Sequence, residues 1–267
     1  MKRFVAHALN CVDYHAPDYS GWEGSLTGCI GDAGGWASVA ASAGVAPQSF
    51  LSGYMGRMTS HGSALPDYEK LEATTRANFR LTFNEIEASQ PGDFWIVLYS
   101  GHVAQVQYGF ERVESFCFYD GLLDDREFWD MLCKVPKGVR LWFIGDGCHM
   151  GGMPGARSTV PIAPQGHYGP FNKSKACPIR FRGMDAPRPR SRQPVGDILF
   201  WAGCRTNQTA MDGPHNGLFT ATALSLAKPD MTYGSLAGQI IDKMPSHQTP
   251  EMFCYGNAEA WARPVFT

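Results

Sequence analysis

The sequence has little charge and almost no excess of either sign. Lys, Arg, Asp and Glu make up 18% of its 267 residues, 23 basic against 25 acidic, for a formal net charge of -2. A surface built throughout for nucleic acid or for an anionic membrane needs a strong basic excess, so that class is excluded. Long apolar runs are also missing: the compact run from Phe94 to Tyr99 is far short of the roughly 20 residues that span a bilayer as a helix. The N-terminal stretch runs only from Met1 to Leu9 before polar Asn10, too short for a secretory signal with a small-residue cleavage site, so the expected compartment is the cytoplasm. Closely spaced cysteines are absent as well. The eight lie at 11, 29, 117, 133, 148, 177, 204 and 254, no two neighbours closer than 15 residues, which excludes the paired CxxC spacing of a structural zinc site. In a reducing compartment most of them read as buried thiols.

What the chain does have is a core. Hydrophobic residues are 44% and aromatics 12%, which excludes disorder, and a chain of this length buries roughly three quarters of its unfolded surface. Short apolar runs alternate with helical periodicity, the pattern of an α/β fold with a parallel sheet covered on both faces. Arg3 to Leu9, Phe94 to Tyr99, Val139 to Ile144, Ile198 to Ala202 and Glu251 to Tyr255 read as strands, and Val103 to Tyr119 as a hairpin. Asp32 to Ala43 reads as a helix ended by Gly44. Phe79, Phe83 and Ile86 mark a second, stopped by Pro91-Gly92. Asp124-Asp125 caps a third, and 218–226 and 235–244 are two more. The reading is a single domain over 1–267, in which a first part, 1–152, and a last part, 196–267, flank a segment of different character.

That segment, 153–195, contains eight Pro, eight Lys or Arg and one acidic residue, Asp185, and reads as a long mobile surface loop. The near-neutral total therefore conceals an acidic remainder with 15 basic against 24 acidic residues. A nucleic-acid patch on the loop is the weaker reading, because its prolines spread the charge and few aromatics are interleaved.

Ligands of open α/β sheets bind at the carboxyl ends of strands. Here two consecutive buried strands end in polar clusters, Ser100-Gly101-His102 and Asp146-Gly147-Cys148-His149. Attack by a thiol needs a thiolate and a group that moves protons, because a free cysteine with pKa near 8.5 is mostly protonated at neutral pH. His102 supplies that group for Cys148. His149 reads as packing or polar support, since adjacent side chains on a turn diverge.

On these residues the chain resembles the caspase-like cysteine peptidases, specifically the metacaspases and orthocaspases. The family's YSGHG appears as YSGHV at 99–103, its DCCHSG as DGCHMG at 146–151, and its LxGCxNDA as LTGCIGDA at 26–33. TRANF at 75–79, NQTA at 207–210 and GLFTATAL at 217–224 match further segments in order. The resemblance implies a mainly parallel six-stranded sheet, Cys148 as nucleophile, His102 as general acid and base, and an oxyanion hole from the backbone N–H groups of Cys148 and Val103. No third triad member is implied, and no cofactor is required for the chemistry. Val103 replaces a glycine, and a β-branched residue does not adopt positive φ cheaply. Gly147 and Met150 also depart from the family's motifs.

The resemblance further implies that Cys29, Asp32, Ser100 and Asp146 line the pocket for the residue before the cleaved bond. Two carboxylates in one pocket repel unless a cation enters, so the expected substrates are proteins or peptides cut after Arg or Lys. Caspases that cut after Asp need an Arg-lined pocket, which these positions do not offer. A basic loop in a basic-specific peptidase implies activation by cleavage after Arg157, Lys173, Lys175, Arg180, Arg182, Arg188, Arg190 or Arg192, by the enzyme itself or by an upstream protease. Asp124 and Asp125, with Asp120, match aspartates that bind calcium in many metacaspases; a helix N-cap is the preferred reading, with calcium as the alternative. A catalytically silent scaffold on the same fold is the competing functional reading.

Overall fold

A computed structural model describes residues 1–52, 71–108, 111–152, 173–175, 177, 180–181, 192–228 and 230–267. The elements in chain order are β1 (Lys2–Leu9), α1 (Cys29–Ser42), β2 (Ala46–Ser52), β3 (Leu71–Glu72), α2 (Arg76–Glu87), β4 (Phe94–Ser100), β5 (Val103–Tyr108), β6 (Glu111–Phe118) and β7 (Gly121–Asp124). There follow α3 (Asp125–Leu132), β8 (Arg140–Asp146), β9 (Lys173–Ser174), β10 (Arg180–Phe181), β11 (Asp197–Ala202), β12 (Met211–Asp212), α4 (Leu218–Leu226), α5 (Tyr233–Lys243) and β13 (Glu251–Tyr255).

The central sheet runs β13-β11-β8-β4-β1-β2-β3. All its pairs are parallel except β11 with β13, so six strands form the mainly parallel body and two-residue β3 extends its edge. Alternate side chains of each strand enter different layers. Phe4, Ala6, Leu98, Trp142 and Trp201 pack with Trp36 of α1, Phe219 of α4 and Leu236 of α5. Val5, Val97, Phe143 and Phe200 pack with Phe79 and Phe83 of α2 and Phe128 of α3. Strands buried on both faces have no polar side to alternate with, which is why β4 and β8 read as unbroken apolar runs. The side chain of Thr75 caps α2, accepting from the Asn78 N–H at 3.2 Å.

Two expectations change. Ala46–Ser52 is a strand, although Pro47, Gln48 and Ser49 hid it; pairing with β1 places it inside the sheet, where Phe50 stacks on His7. Within the segment 153–195, expected as a mobile surface loop, residues 173–175, 177 and 180–181 are built into the body, while 153–172 and 182–191 lie outside the described residues. β9 pairs antiparallel with β12, and β10 pairs parallel with β5 in a second sheet ordered β10-β5-β6-β7. Of the eight basic positions in that segment, Arg157, Arg182, Arg188 and Arg190 lie outside the described residues.

Candidate active site

The sheet register brings the two motifs together. Parallel strands β4 and β8 pair Tyr99 with Gly145 and Ser100 with Asp146. His102 and Cys148 each follow two residues later at the same sheet edge, and the Gly101 N–H still reaches the Asp146 carbonyl at 3.3 Å.

His102 is buried, with its ring 4.6 Å from that of Trp22. Its Nε2 lies 3.0 Å from the Gly24 carbonyl, which only accepts, so Nε2 carries the hydrogen and Nδ1 the lone pair. Nδ1 is buried without a hydrogen bond. Burial pushes the imidazole pKa down to about 4, with the Lys175 and Gly24 carbonyls opposing and the Lys175 charge adding to the shift. The ring is therefore neutral at physiological pH, in the form that accepts a proton. Gly24 was not legible in advance as a contributor. Its φ of +57° belongs to the left-handed region, and a Cβ there would stand 2.9 Å from the Trp22 ring and 3.1 Å from His102 Cδ2.

Cys148 is buried, and its Sγ accepts from the Ala210 N–H at 3.0 Å. His149, at φ +57°, turns away from the site: its Nδ1 meets the Thr206 carbonyl at 2.7 Å and its N–H donates to Gln208 O at 3.2 Å. This is the expected supporting role, and it ties the cysteine turn to the 204–210 loop.

The departures from the family motifs fit one another. A Cβ on Gly147 would lie 3.0 Å from Val103 Cγ2 and 2.9 Å from the Gly101 carbonyl, so the extra side chain at 103 fills the space given up at 147. Met150 packs its side chain over Gly145. Val103 opens β5 and is not among the residues with positive φ; its N–H stays free of the hairpin partner and donates to the Lys175 carbonyl at 3.3 Å.

Asp32, Ser100 and Asp146 converge as expected, around a residue that sequence reasoning did not place there. Lys175 is fully buried between them. Its Nζ lies 3.1 Å from Asp32 Oδ2, 3.0 Å from Asp146 Oδ1, 3.0 Å from Ser100 Oγ and 3.2 Å from the Asp146 carbonyl. Burial works against the ammonium, but Asp146 and Asp32 outweigh it and hold Lys175 protonated, well above its ordinary range. Burial pushes the Asp32 carboxyl up while Lys175 pulls it back. Asp32 also accepts from Ser100 Oγ at 2.6 Å, Asn216 Nδ2 at 3.1 Å and the Gly217 N–H at 2.8 Å. Cys29, in the first turn of α1, is buried beside them and its thiol is pushed up by burial.

The backbone of Lys175 is held on both sides. Its N–H donates to Ala210 O at 2.9 Å, its carbonyl accepts from Val103, and the Cys177 N–H donates to Val103 O at 3.2 Å. An extended peptide thus crosses the strand ends with a lysine in the acidic pocket. The acidic pocket and the excess of basic residues in 153–195 announced that kind of occupant without saying which residue it is. Lys173 lies in β9 and Arg180 in β10, while Arg192 is exposed, its carbonyl accepting from the Trp129 indole.

The aspartates matched to calcium sites are engaged elsewhere. Asp124 occupies the N-cap position of α3 and accepts from Ser115 Oγ at 2.5 Å and Tyr108 OH at 2.9 Å. Asp120 holds Arg76, and Asp125 lies in the first helical turn. Among the described residues no group of three or more His, Cys, Asp or Glu is arranged to hold a metal ion. No helix among them is long and apolar enough to cross a membrane.

The family model described as the caspase domain matches residues 3–258. Metacaspase-8 of Arabidopsis thaliana is 35% identical over 78 residues, and metacaspase-4 of the same plant 34% over 76, each covering 26% of this chain. The matches span 20% and 18% of those curated relatives. Among solved structures, protein GSU0716 from Geobacter sulfurreducens superposes with a TM-score of 0.72 at 25% identity, over 100% of this chain and 99% of that one. Caspase-1 from Spodoptera frugiperda gives 0.57 at 11% identity over 96% and 87%, a likeness of fold alone.

Proposed function

The chain belongs to the caspase-domain family, and from that premise we propose that it is a cysteine endopeptidase that cleaves after lysine or arginine. Cys148 is the nucleophile and His102 the acid and base. The observation that carries the specificity is the Lys175 ammonium, fully buried within 3.1 Å of both Asp32 and Asp146. The charge-assisted hydrogen bond to Asp32 contributes roughly 1.5 to 3 kcal/mol, the Asp146 carboxylate adds an ion pair, and an acidic side chain at the same place would be repelled by both carboxylates.

In the proposed reaction, His102 Nδ1 takes the thiol proton of Cys148. The thiolate then attacks the carbonyl carbon of the basic residue, and the negative oxygen is held by the N–H of Val103 together with that of Cys148. The C–N bond breaks as His102 returns the proton to the leaving amine. Water, deprotonated by the same imidazole, hydrolyses the thioester and restores the thiol. The Gly24 carbonyl holds the ring in the required tautomer throughout and stabilises the imidazolium formed in between.

Of the eight basic candidates in 153–195, Lys175 is the favoured first cleavage site, because its carbonyl already accepts from Val103. While it is seated, the pocket is closed to other substrates, so cutting and release of this segment activates the enzyme. The silent-scaffold reading draws on Val103, Gly147 and Met150. Their mutual packing argues instead for a rebuilt site floor that leaves the thiol and imidazole in place.

The test is turnover of fluorogenic peptides ending in Lys, Arg or Asp by the wild type and by Cys148→Ala, with a denaturing gel of each protein. Preferred turnover of the Asp peptide refutes the pocket assignment, and equal activity of Cys148→Ala refutes the nucleophile. Nicking of Cys148→Ala only when wild type is added distinguishes cutting between molecules from cutting within one.

A further inference from the structure

Beyond Lys175 the same segment continues into a second site. The Cys177 side chain is only 6% exposed and belongs to an apolar cluster with Val12, Tyr19, Ala104, Val106 and Cys117, against which Trp22 packs. The cluster is walled by the second sheet on one side and by the 12–22 stretch on the other. The Tyr19 hydroxyl is directed to the Phe118 and Gly121 carbonyls, and the Asp18 carboxylate at the edge of the cluster accepts from the Leu122 N–H. The Cys117 N–H is used by the His102 carbonyl.

The backbone is read as well. Val103 donates to the Lys175 carbonyl and accepts from the Cys177 N–H, the two bonds that a parallel neighbour makes to residues on either side of its partner. Further along, β10 pairs parallel with β5, Arg180 opposite Val106 and Phe181 opposite Gln107. The edge of β5 is thus a template for whatever peptide follows the cleaved bond, a form of strand addition in which the main chain gives affinity and a side-chain pocket gives selectivity.

We infer that the Tyr19, Ala104, Val106 and Cys117 cleft is a substrate subsite on the leaving-group side, which selects a small or medium apolar residue two positions after the basic one. The inference rests on the peptidase reading of the same site. It adds a requirement that the acidic pocket does not contain: a basic residue followed at the second position by a charged one is a poor substrate even though the pocket is satisfied. Cys177 fills the cleft in the intact chain, so the segment meets both requirements at once.

The experiment uses the full-length chain and two kinds of peptide. A fluorogenic peptide ending in Lys carries no residue after the bond and reports the acidic pocket and the dyad alone. Internally quenched peptides with the sequence of 173–181, carrying Lys173→Gln and Arg180→Gln so that Lys175 is their one basic residue, and Val, Cys, Ser or Asp at position 177, report the cleft. The expected kcat/KM is similar for Val and Cys, lower for Ser, and at least 30-fold lower for Asp. In parallel, Cys148→Ala chains carrying Cys177→Val or Cys177→Asp are treated briefly with trypsin; the bond after Lys175 should stay protected with Val and become accessible with Asp. Turnover of the fluorogenic peptide combined with equal cleavage of the Val and Asp peptides overturns the subsite and leaves the peptidase reading standing. No turnover of any peptide, with Cys177→Asp still exposing Lys175 to trypsin, overturns the peptidase reading and keeps the apolar seat. Equal trypsin sensitivity of the two variants overturns the seat itself.

Discussion

Replacing Lys175 with glutamine removes the charge from the pocket while nearly keeping the side chain's length. The wild-type ammonium stands 3.1 Å from Asp32 and 3.0 Å from Asp146, with Ser100 Oγ and the Asp146 carbonyl as further acceptors. Glutamine brings two N–H donors and one carbonyl oxygen, and the oxygen faces carboxylates. Glutamine gives up one charge-assisted hydrogen bond, to Asp32, worth roughly 1.5 to 3 kcal/mol, and the ion pair with Asp146, whose Oδ1 has no hydrogen bond. Water or a proton entering the emptied pocket offsets part of the lost ion pair, so about 3 kcal/mol is expected, or roughly a 150-fold slower cut at this position. Lys175→Arg retains the charge and should nick within about tenfold of wild type, since only the reach of the donor fork changes. The assay is a time course of freshly purified protein on a denaturing gel, with the new N-terminus sequenced and Cys148→Ala as the uncut control. A wild-type fragment that begins anywhere other than residue 176, or a Lys175→Gln chain cut there at the wild-type rate, would refute the reasoning.

Gly24→Ala places a Cβ 2.9 Å from Trp22 and 3.1 Å from His102 at φ +57°. The left-handed backbone alone costs roughly 1 to 2 kcal/mol; kcat should fall at least tenfold with KM for a Lys peptide little changed, because the ring moves and the acidic pocket does not. Gly147→Ala should destabilise by about 1 to 3 kcal/mol through overpacking against Val103 and the Gly101 carbonyl, and Val103→Gly should relieve the Val103 part of it, with a coupling of about 1 kcal/mol in a double-mutant cycle read from urea melts; strict additivity would show that the two departures are unrelated. Burial lowers the His7 pKa to about 3, so below its ordinary 6.5 the unfolded chain binds a proton that the folded chain excludes, and stability falls as pH falls. Between pH 7 and 5 that amounts to about 2 kcal/mol. His7→Phe, which keeps the stack on Phe50, should flatten the pH dependence by this amount in urea melts at pH 7 and 5; an unchanged slope would count against a buried neutral histidine.

The strands that position the site were legible because they are buried on both faces: the runs ending at Ser100 and Asp146 are apolar without interruption, and only a polar cluster marks where each leaves the sheet. β2 was not, since its opening Ala46-Pro47-Gln48-Ser49 carries loop chemistry and becomes a strand through its pairing with β1. The pocket carboxylates could be named from motif spacing, but their occupant could not. Eight basic residues within 153–195 are equivalent by composition, and what distinguishes Lys175 is the tertiary pairing of β9 with β12 and of β10 with β5. Gly24 was illegible for a related reason. Its contribution is a backbone carbonyl, which every residue has, and only its φ and its neighbours give it a role.

Seating of the segment and positioning of the thiol are not independent, because Ala210 touches both. Its N–H donates to Cys148 Sγ and its carbonyl accepts from the Lys175 N–H. It closes the stretch 207–210, whose Gln208 receives the His149 N–H through its own carbonyl and anchors Thr249 and Ser246 through its side chain. In the proposed mechanism the N–H directed at sulfur steadies the attacking thiolate, while the Ala210 carbonyl, 3.6 Å from the same sulfur, accepts from the resting thiol; both groups belong to the residue that pairs with the Lys175 N–H. A peptide that fails to pair with Ala210 leaves that loop without its cross-strand partner and the sulfur without a fixed donor. On the peptidase reading, selectivity should therefore appear in kcat as well as in KM, and substrates whose basic residue is methylated on its backbone nitrogen, and so has no N–H to give Ala210, should be cut slowly even at saturation.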